Sequence, residues 1–96
     1  MELRSLIDKA YIAAVDKGFY DKELEIGELL MMLTQEVAEA YDAYRYGNKD
    51  EFSLEMADVQ IIFASICGHL GLDLPHWVNV KMEMDKKREH KHGRMF

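Results

Sequence analysis

The chain has 96 residues, of which 49% are hydrophobic and 31% charged, and its formal net charge is −6. This length suffices for one domain only, and we expect residues 1–96 to form it. The acidic balance argues against nonspecific nucleic-acid binding, because such binding relies on Lys and Arg.

No stretch of the sequence predicts a signal peptide or a membrane span. Residues 1–4 lead into no continuous apolar run. The longest stretch without Asp, Glu, Lys or Arg is 59–72, which is too short to cross a bilayer and indicates a core helix. Cys67 is the only cysteine, so we expect a buried thiol and no intramolecular disulfide. A cytoplasmic protein without membrane partners is therefore expected.

The hydrophobic periodicity predicts helices and no strands. The first helix is expected over residues 2–17 with Gly18 as its stop, followed by a loop over 19–25. The second is expected over about 25–46. Its apolar stripe should face the core and comprises Ile26, Leu30, Leu33, Val37, Tyr41 and Tyr44.

The third helix is expected over about residues 49–70 and is apolar nearly all round. Its main stripe contains Phe52, Met56, Val59, Phe63, Ile66 and Leu70, and Leu54, Ile61 and Ile62 lie off that stripe. Such a helix is normally covered on several sides. A chain of this size covers it poorly alone, which favours an oligomer.

The fourth helix is expected over about residues 74–89, with Asp73 as its N-cap. Residues 81–96 hold six Lys/Arg against three Asp/Glu, so this end of the chain is basic. Lys81 and Arg88 share one helix face and are interpreted as phosphate ligands. A cationic helix end that suits the macrodipole is the alternative, and it is favoured for Lys86, Lys87 and Lys91.

Two pairs of carboxylates dominate the central helices. Glu36 and Glu39 stand three apart on the second helix, and Glu55 and Asp58 repeat that spacing on the third. Residues three apart are neighbours on a helix surface, and clustered acids repel one another, so a bound divalent cation is a good reason for such an arrangement. Oxygen-only ligands suit Mg²⁺ or Mn²⁺. The alternative is that all four are solvated surface acids.

A di-iron carboxylate bundle is a weaker interpretation of the same residues. It requires Glu-x-x-His on two helices, whereas the second partners here are Glu39 and Asp58. The segment Glu89-His90-Lys91-His92 has suitable residue types, but it lies in the tail.

With these residues the chain resembles the MazG-like nucleotide pyrophosphohydrolases of the all-α NTP pyrophosphatase superfamily. The family motif stands here as Glu36-Val-Ala-Glu39 and Glu55-Met-Ala-Asp58. The similar flanks are Lys17-Gly18-Phe19, Glu39-Ala40, Tyr44-Arg45, Gly71-Leu72-Asp73-Leu74 and Lys81…Arg88…His92-Gly93-Arg94. One position departs from the family, because Asp85 stands where an Asn is frequent.

The resemblance implies an all-α, four-helix MazG-like fold in which helices from two subunits complete a bundle, as a homodimer or homotetramer. It implies Mg²⁺-dependent hydrolysis of nucleoside triphosphates, with Mn²⁺ as a possible substitute, to the monophosphate and pyrophosphate, in nucleotide-pool house-cleaning. The implied site residues are Glu36, Glu39, Glu55 and Asp58 for metal and catalysis, Lys81 and Arg88 for phosphate, and Phe19, Tyr20, Met32 and Asp85 for the nucleotide pocket. The alternative is an inactive helical oligomerisation or regulatory module of the same fold.

Overall fold

The computed structural model describes residues 1–88, and all regular secondary structure in that range is helical. The helices are α1 (Leu3–Asp16), α2 (Ile26–Tyr46), α3 (Lys49–Leu70) and α4 (Leu74–Lys86). Helix α3 packs against both α1 and α2, whereas the packing of α4 is against α1. The predicted all-α class is confirmed for the described range, and α3 is the helix that packs between α1 and α2.

The predicted end of α3 at Gly71 and the predicted N-cap of α4 at Asp73 are both formed in the structure. Gly71 adopts the left-handed conformation (φ 65°), and the backbone N–H of Leu72 donates to the carbonyl of Cys67, which closes α3. Asp73 caps α4 by accepting from the backbone N–H of His76 at 3.4 Å. The same carboxylate oxygen accepts from Arg4 at 3.0 Å, so α1 and α4 are joined at one end. This contact with Arg4, with help from the His76 N–H, lowers the pKa of Asp73.

The core is small and lies mainly between α1 and α3. Ile7 and Ala10 of α1 meet Ala64 and Cys67 of α3, and all four are buried. Burial also raises the pKa of the Cys67 thiol, and the expected burial of this cysteine is confirmed. Small residues on both helices allow the backbones to approach closely.

An aromatic residue of the α1–α2 loop fastens that loop to α3. The Tyr20 ring stacks on His69 with centroids 4.1 Å apart and planes 11° apart. Its hydroxyl shares a 3.1 Å hydrogen bond with the Ser65 hydroxyl, and Ser65 in turn donates to the carbonyl of Ile62. Burial of this ring is the main reason that the pKa of Tyr20 is raised. Tyr20 is therefore a packing residue of this fold.

The predicted core stripe of α2 is wrong for the isolated chain. Leu30, Val37 and Tyr41 are each at least half exposed, at 50%, 51% and 56%. The buried residues of α2 are Leu29 and Ala40 instead. The helical period identifies the apolar stripe correctly, but α2 turns the neighbouring strip toward α3, so the large apolar side chains lie on the outer surface.

No single helix among residues 1–88 has both the length and the apolar composition needed to span a membrane. Helices α3 and α4 meet that test only when they are taken together, and that pair is bent by 108°.

Candidate metal centre

The α2–α3 interface brings three of the four predicted acids together. Glu36 and Glu39 from α2 and Glu55 from α3 each present one carboxylate oxygen, and these oxygens all lie within 4.8 Å of one another. We call these three residues the glutamate cluster. Ala40, buried beside them at 4% exposure, is small enough to let α2 approach α3 closely at this level.

Burial within the glutamate cluster is uneven. Glu36 and Glu55 are half-buried, whereas Glu39 is exposed. The Oε2 atom of Glu55 is fully covered and has no hydrogen-bond partner among the described residues. A buried anionic oxygen without a hydrogen-bond donor destabilises the folded protein. A bound cation or a proton at this atom would remove that cost.

Electrostatic crowding is evident at Glu36. Its pKa is raised, first by burial, then by the charge of Glu39 and the charge of Asp58. A hydrogen bond with Glu39 and the charge of Glu55 act in the same direction. All four predicted acids therefore belong to one electrostatic group, in which negative charge favours either a proton on Glu36 or a positive ion between the side chains.

Asp58 stands apart from the other three acids geometrically. It is exposed and is not part of the glutamate cluster, although its charge is felt at Glu36. Asp58 also lines a cavity of about 340 Å³ between α1, the following loop and α3, which we call the α1–α3 cavity. Asp58 thus lies one helical turn after Glu55 on α3 and also lines the α1–α3 cavity.

A second cleft, of about 460 Å³, adjoins the cluster at the ends of α2 and α3. Glu39 and Glu55 line it together with Asp42 and Glu51. The cleft contains only acidic charges, so it would attract cations and repel a free phosphate. A phosphate group would need a metal ion or a basic side chain to approach the cluster from this direction.

The predicted phosphate ligands share a partner on α4. Lys81 Nζ donates to Asp85 Oδ1 at 2.6 Å, and Arg88 Nη1 lies 3.9 Å from the same oxygen. Asp85 is half-buried, and the two cations are about half exposed. Asp85 therefore gives Lys81 and Arg88 a common carboxylate. Helix α4 packs against α1, whereas the glutamate cluster lies between α2 and α3.

The residues predicted to form the nucleotide pocket are separated by the fold. Phe19 is half-buried and lines the α1–α3 cavity. Tyr20 packs on His69, and Met32 is half-buried on α2; neither lines that cavity. Residues of the predicted tail, including His90, His92 and Arg94, lie outside the described residues.

Sequence reasoning missed the wall of this cavity. One side is formed by Ala10, Ala13 and Ala14 of α1 and the other by Ile61 and Ile62 of α3. The spacing of the three alanines was visible in the sequence. Small residues at that spacing more often mark close helix packing than a pocket, so the signal alone is ambiguous.

Comparison of the chain with protein-family models, with curated proteins and with solved structures gives no match.

Proposed function

We propose that the chain is a Mg²⁺-dependent nucleoside triphosphate pyrophosphohydrolase of the MazG-like kind. The reaction would convert a nucleoside or deoxynucleoside triphosphate and water to the monophosphate and pyrophosphate. The observation that carries this proposal is the glutamate cluster, in which three carboxylates from two helices meet beside an unpaired, covered oxygen of Glu55.

The donor set suits a hard cation. The glutamate cluster offers only carboxylate oxygens, which is the ligand type taken by Mg²⁺ and Mn²⁺. A cation there would satisfy Glu55 Oε2 and relieve the repulsion that raises the pKa of Glu36. When bound, the ion would supply charge neutralisation for the polyphosphate and a more acidic water. Glu36, Glu39 and Glu55 would hold it, with Asp58 as the fourth acid.

The remaining roles fall to side chains of this chain. One of the four carboxylates would orient or deprotonate the attacking water. Lys81 and Arg88 would bind phosphate oxygens, and Arg88 has the geometry to do so bidentately. Asp85 contacts both cations and would keep them in one place until phosphate arrives.

The proposal includes a homodimer or homotetramer. Helix α4 has no buried residue, although it carries Trp77 and Met82, each 56% exposed. A short helix is marginal without tertiary packing. An apolar cleft of about 390 Å³ on α2 and α3, with Tyr41, Tyr44 and Met56 among its walls, offers a surface for a second copy. Assembly would cover these faces and bring Lys81 and Arg88 of one copy toward the acids of another.

A nucleotide panel tests the activity. The purified protein would be incubated with Mg²⁺ and each ribo- and deoxyribonucleoside triphosphate, with separate detection of pyrophosphate and orthophosphate. We expect pyrophosphate and the monophosphate in equal amounts. Orthophosphate as the first product, or no product from any nucleotide, would contradict the proposal.

An inactive oligomerisation or regulatory module is the second candidate, and the exposed apolar face of α2 favours it. Thermal melting with and without Mg²⁺ separates the two. A site that binds Mg²⁺ in the folded state alone raises the melting temperature as the ion concentration rises. The enzyme predicts such a rise, and the module predicts none.

A further inference from the structure

We propose that the α1–α3 cavity binds the base of the nucleotide substrate, and that Lys17 donates a hydrogen bond to a carbonyl oxygen of that base. This inference rests on the proposed function and specifies where the substrate lies.

The size of the cavity limits what can occupy it. Its volume of about 340 Å³ is near the lower end for small-molecule pockets, roughly 300–1,000 Å³. A planar base, with or without part of its sugar, matches such a space better than a whole nucleoside triphosphate does. The triphosphate would therefore extend outside the cavity.

The walls of the cavity suit the faces of a flat ring. Ala10, Ala13 and Ala14 form a strip of small side chains on α1, because residues three and four apart share a helix face. Ile61 and Ile62 of α3 also line the cavity. Aliphatic walls on two helices contact both faces of a ring without offering polar groups to them.

The position of Asp58 connects this cavity to the proposed metal site. Asp58 lines the cavity and stands one helical turn after Glu55, a member of the glutamate cluster. A base held in the cavity would thus place its attached phosphates beside the acidic group. This continuity distinguishes the α1–α3 cavity from the apolar cleft on α2 and α3, which Asp58 does not line.

The polar edge of the cavity favours a ring that carries acceptors. Lys17 lines the cavity, and none of the ion pairs found among residues 1–88 includes it. An ammonium group only donates hydrogen bonds, so it pairs with a ring carbonyl and not with a ring amino group. Phe19 is held in place by an edge-on contact with Tyr20, with centroids 4.7 Å apart. Gly18, at φ 82°, makes the turn that sets Lys17 and Phe19 on this rim.

The test is a substitution that narrows the cavity, with ligand binding measured in the presence of Mg²⁺. The probes are inorganic tripolyphosphate, which lacks a base, and the α,β-methylene triphosphates of inosine and adenosine, which cannot be cleaved at the proposed bond. Ala13→Leu adds volume to the cavity wall at an exposed position where folding should survive. Ser53→Leu adds a similar volume on the exposed surface of α3, away from the cavity, and is the control.

We expect Ala13→Leu to weaken the affinity for both nucleoside analogues at least tenfold and to leave the affinity for tripolyphosphate unchanged. Ser53→Leu should change neither affinity. Nucleotide affinity unchanged in Ala13→Leu would overturn the assignment of the cavity, as would an equal loss for tripolyphosphate. Failure of the wild-type protein to bind any of the three probes would instead overturn the proposed function itself.

Lys17→Met tests the recognition of the carbonyl. Inosine and adenosine differ at ring position 6, where the first has a carbonyl and the second an amino group. We expect the wild-type protein to prefer the inosine analogue and Lys17→Met to lose at least fivefold of that preference. An equal effect on both analogues would overturn the role of Lys17, because a general electrostatic role would act on the shared triphosphate.

Discussion

Glu36 of α2 and Glu55 of α3 bring carboxylate oxygens within 4.8 Å of each other across the interface of two helices. Both are half-buried, and one oxygen of Glu55 is covered without a partner. Two negative charges at this distance in a partly desolvated place reduce the stability of the folded protein. This repulsion is the main physical evidence for the proposed metal site, because a bound cation would remove it.

Replacing Glu36 should remove a proposed metal ligand and raise the stability of the metal-free protein. Glu36→Gln removes a charge that meets three like charges, and the repulsion from Glu39 on the same helix alone costs roughly 0.2–0.5 kcal/mol. In the absence of metal at neutral pH we expect a melting temperature about 1–4 °C higher, measured by differential scanning calorimetry. Glu23→Gln, at an exposed loop position, is the control. A lower melting temperature in Glu36→Gln than in the wild type would contradict the crowding.

Substitution of either exposed acid should abolish turnover and leave the fold intact. Glu39→Gln and Asp58→Asn change one atom each at exposed positions, so the helical circular dichroism signal should match that of the wild type. We expect pyrophosphate release to fall by at least a hundredfold in each variant. Retained activity in either one would count heavily against the proposed function.

Metal binding should weaken in acid. The pKa of Glu36 is raised above its usual value of 4.5, so the folded chain holds this proton more tightly than the unfolded chain does. Without metal, the contribution of Glu36 to the free energy of unfolding is therefore most favourable at acidic pH and is lost as the pH rises through the raised pKa. A cation competes with that proton, so Mn²⁺ affinity should rise over the same pH range.

Titration calorimetry in buffers of different ionisation enthalpy measures this competition directly. We expect a fraction of a proton to be released per Mn²⁺ bound on the acidic side of neutrality, and less in Glu36→Gln. Affinity that does not change from acidic to neutral pH would show that the ion does not displace the proton of Glu36.

The close approach of α1 and α3 should depend on Gly68. A Cβ at this position would lie 2.7 Å from Cβ of Tyr11, a distance that forces the helices apart. Gly68→Ala is therefore expected to lower the free energy of unfolding by about 1–3 kcal/mol, measured by urea denaturation. Gly27→Ala is the matched control, because nothing lies within 4 Å of its added Cβ. That control should be neutral or more stable by up to about 1 kcal/mol, since Ala favours a helix.

The exposed apolar face of α2 should mediate self-association. Tyr41 is 56% exposed and lines the apolar cleft shared by α2 and α3. We expect light scattering to report a dimer or tetramer for the wild type and a smaller species for Tyr41→Asp, because a charge would be buried without a partner. Tyr41→Phe keeps the apolar ring and should assemble as the wild type does. A wild type that is monomeric at high micromolar concentration would contradict the proposed assembly.

The sequence by itself determined the local features of this protein. Helical period, the turn at Gly71 and the cap at Asp73 predicted the helices with ends close to those observed. The spacing of Glu36 and Glu39 also identified a pair of neighbouring acids, because residues three apart share a helix face in any helix. Such features depend only on interactions within a few residues of the chain.

Only the tertiary structure decided how the helices face one another. Hydrophobic periodicity identifies an apolar stripe on α2 but does not predict which element packs against it. In the folded chain Val37 and Tyr41 are exposed, whereas Leu29 and Ala40 are buried. The same rotation of α2 brings its two glutamates to Glu55. Side-chain convergence depends on the rotation and register of two packed helices, which are set by contacts between residues far apart in the chain.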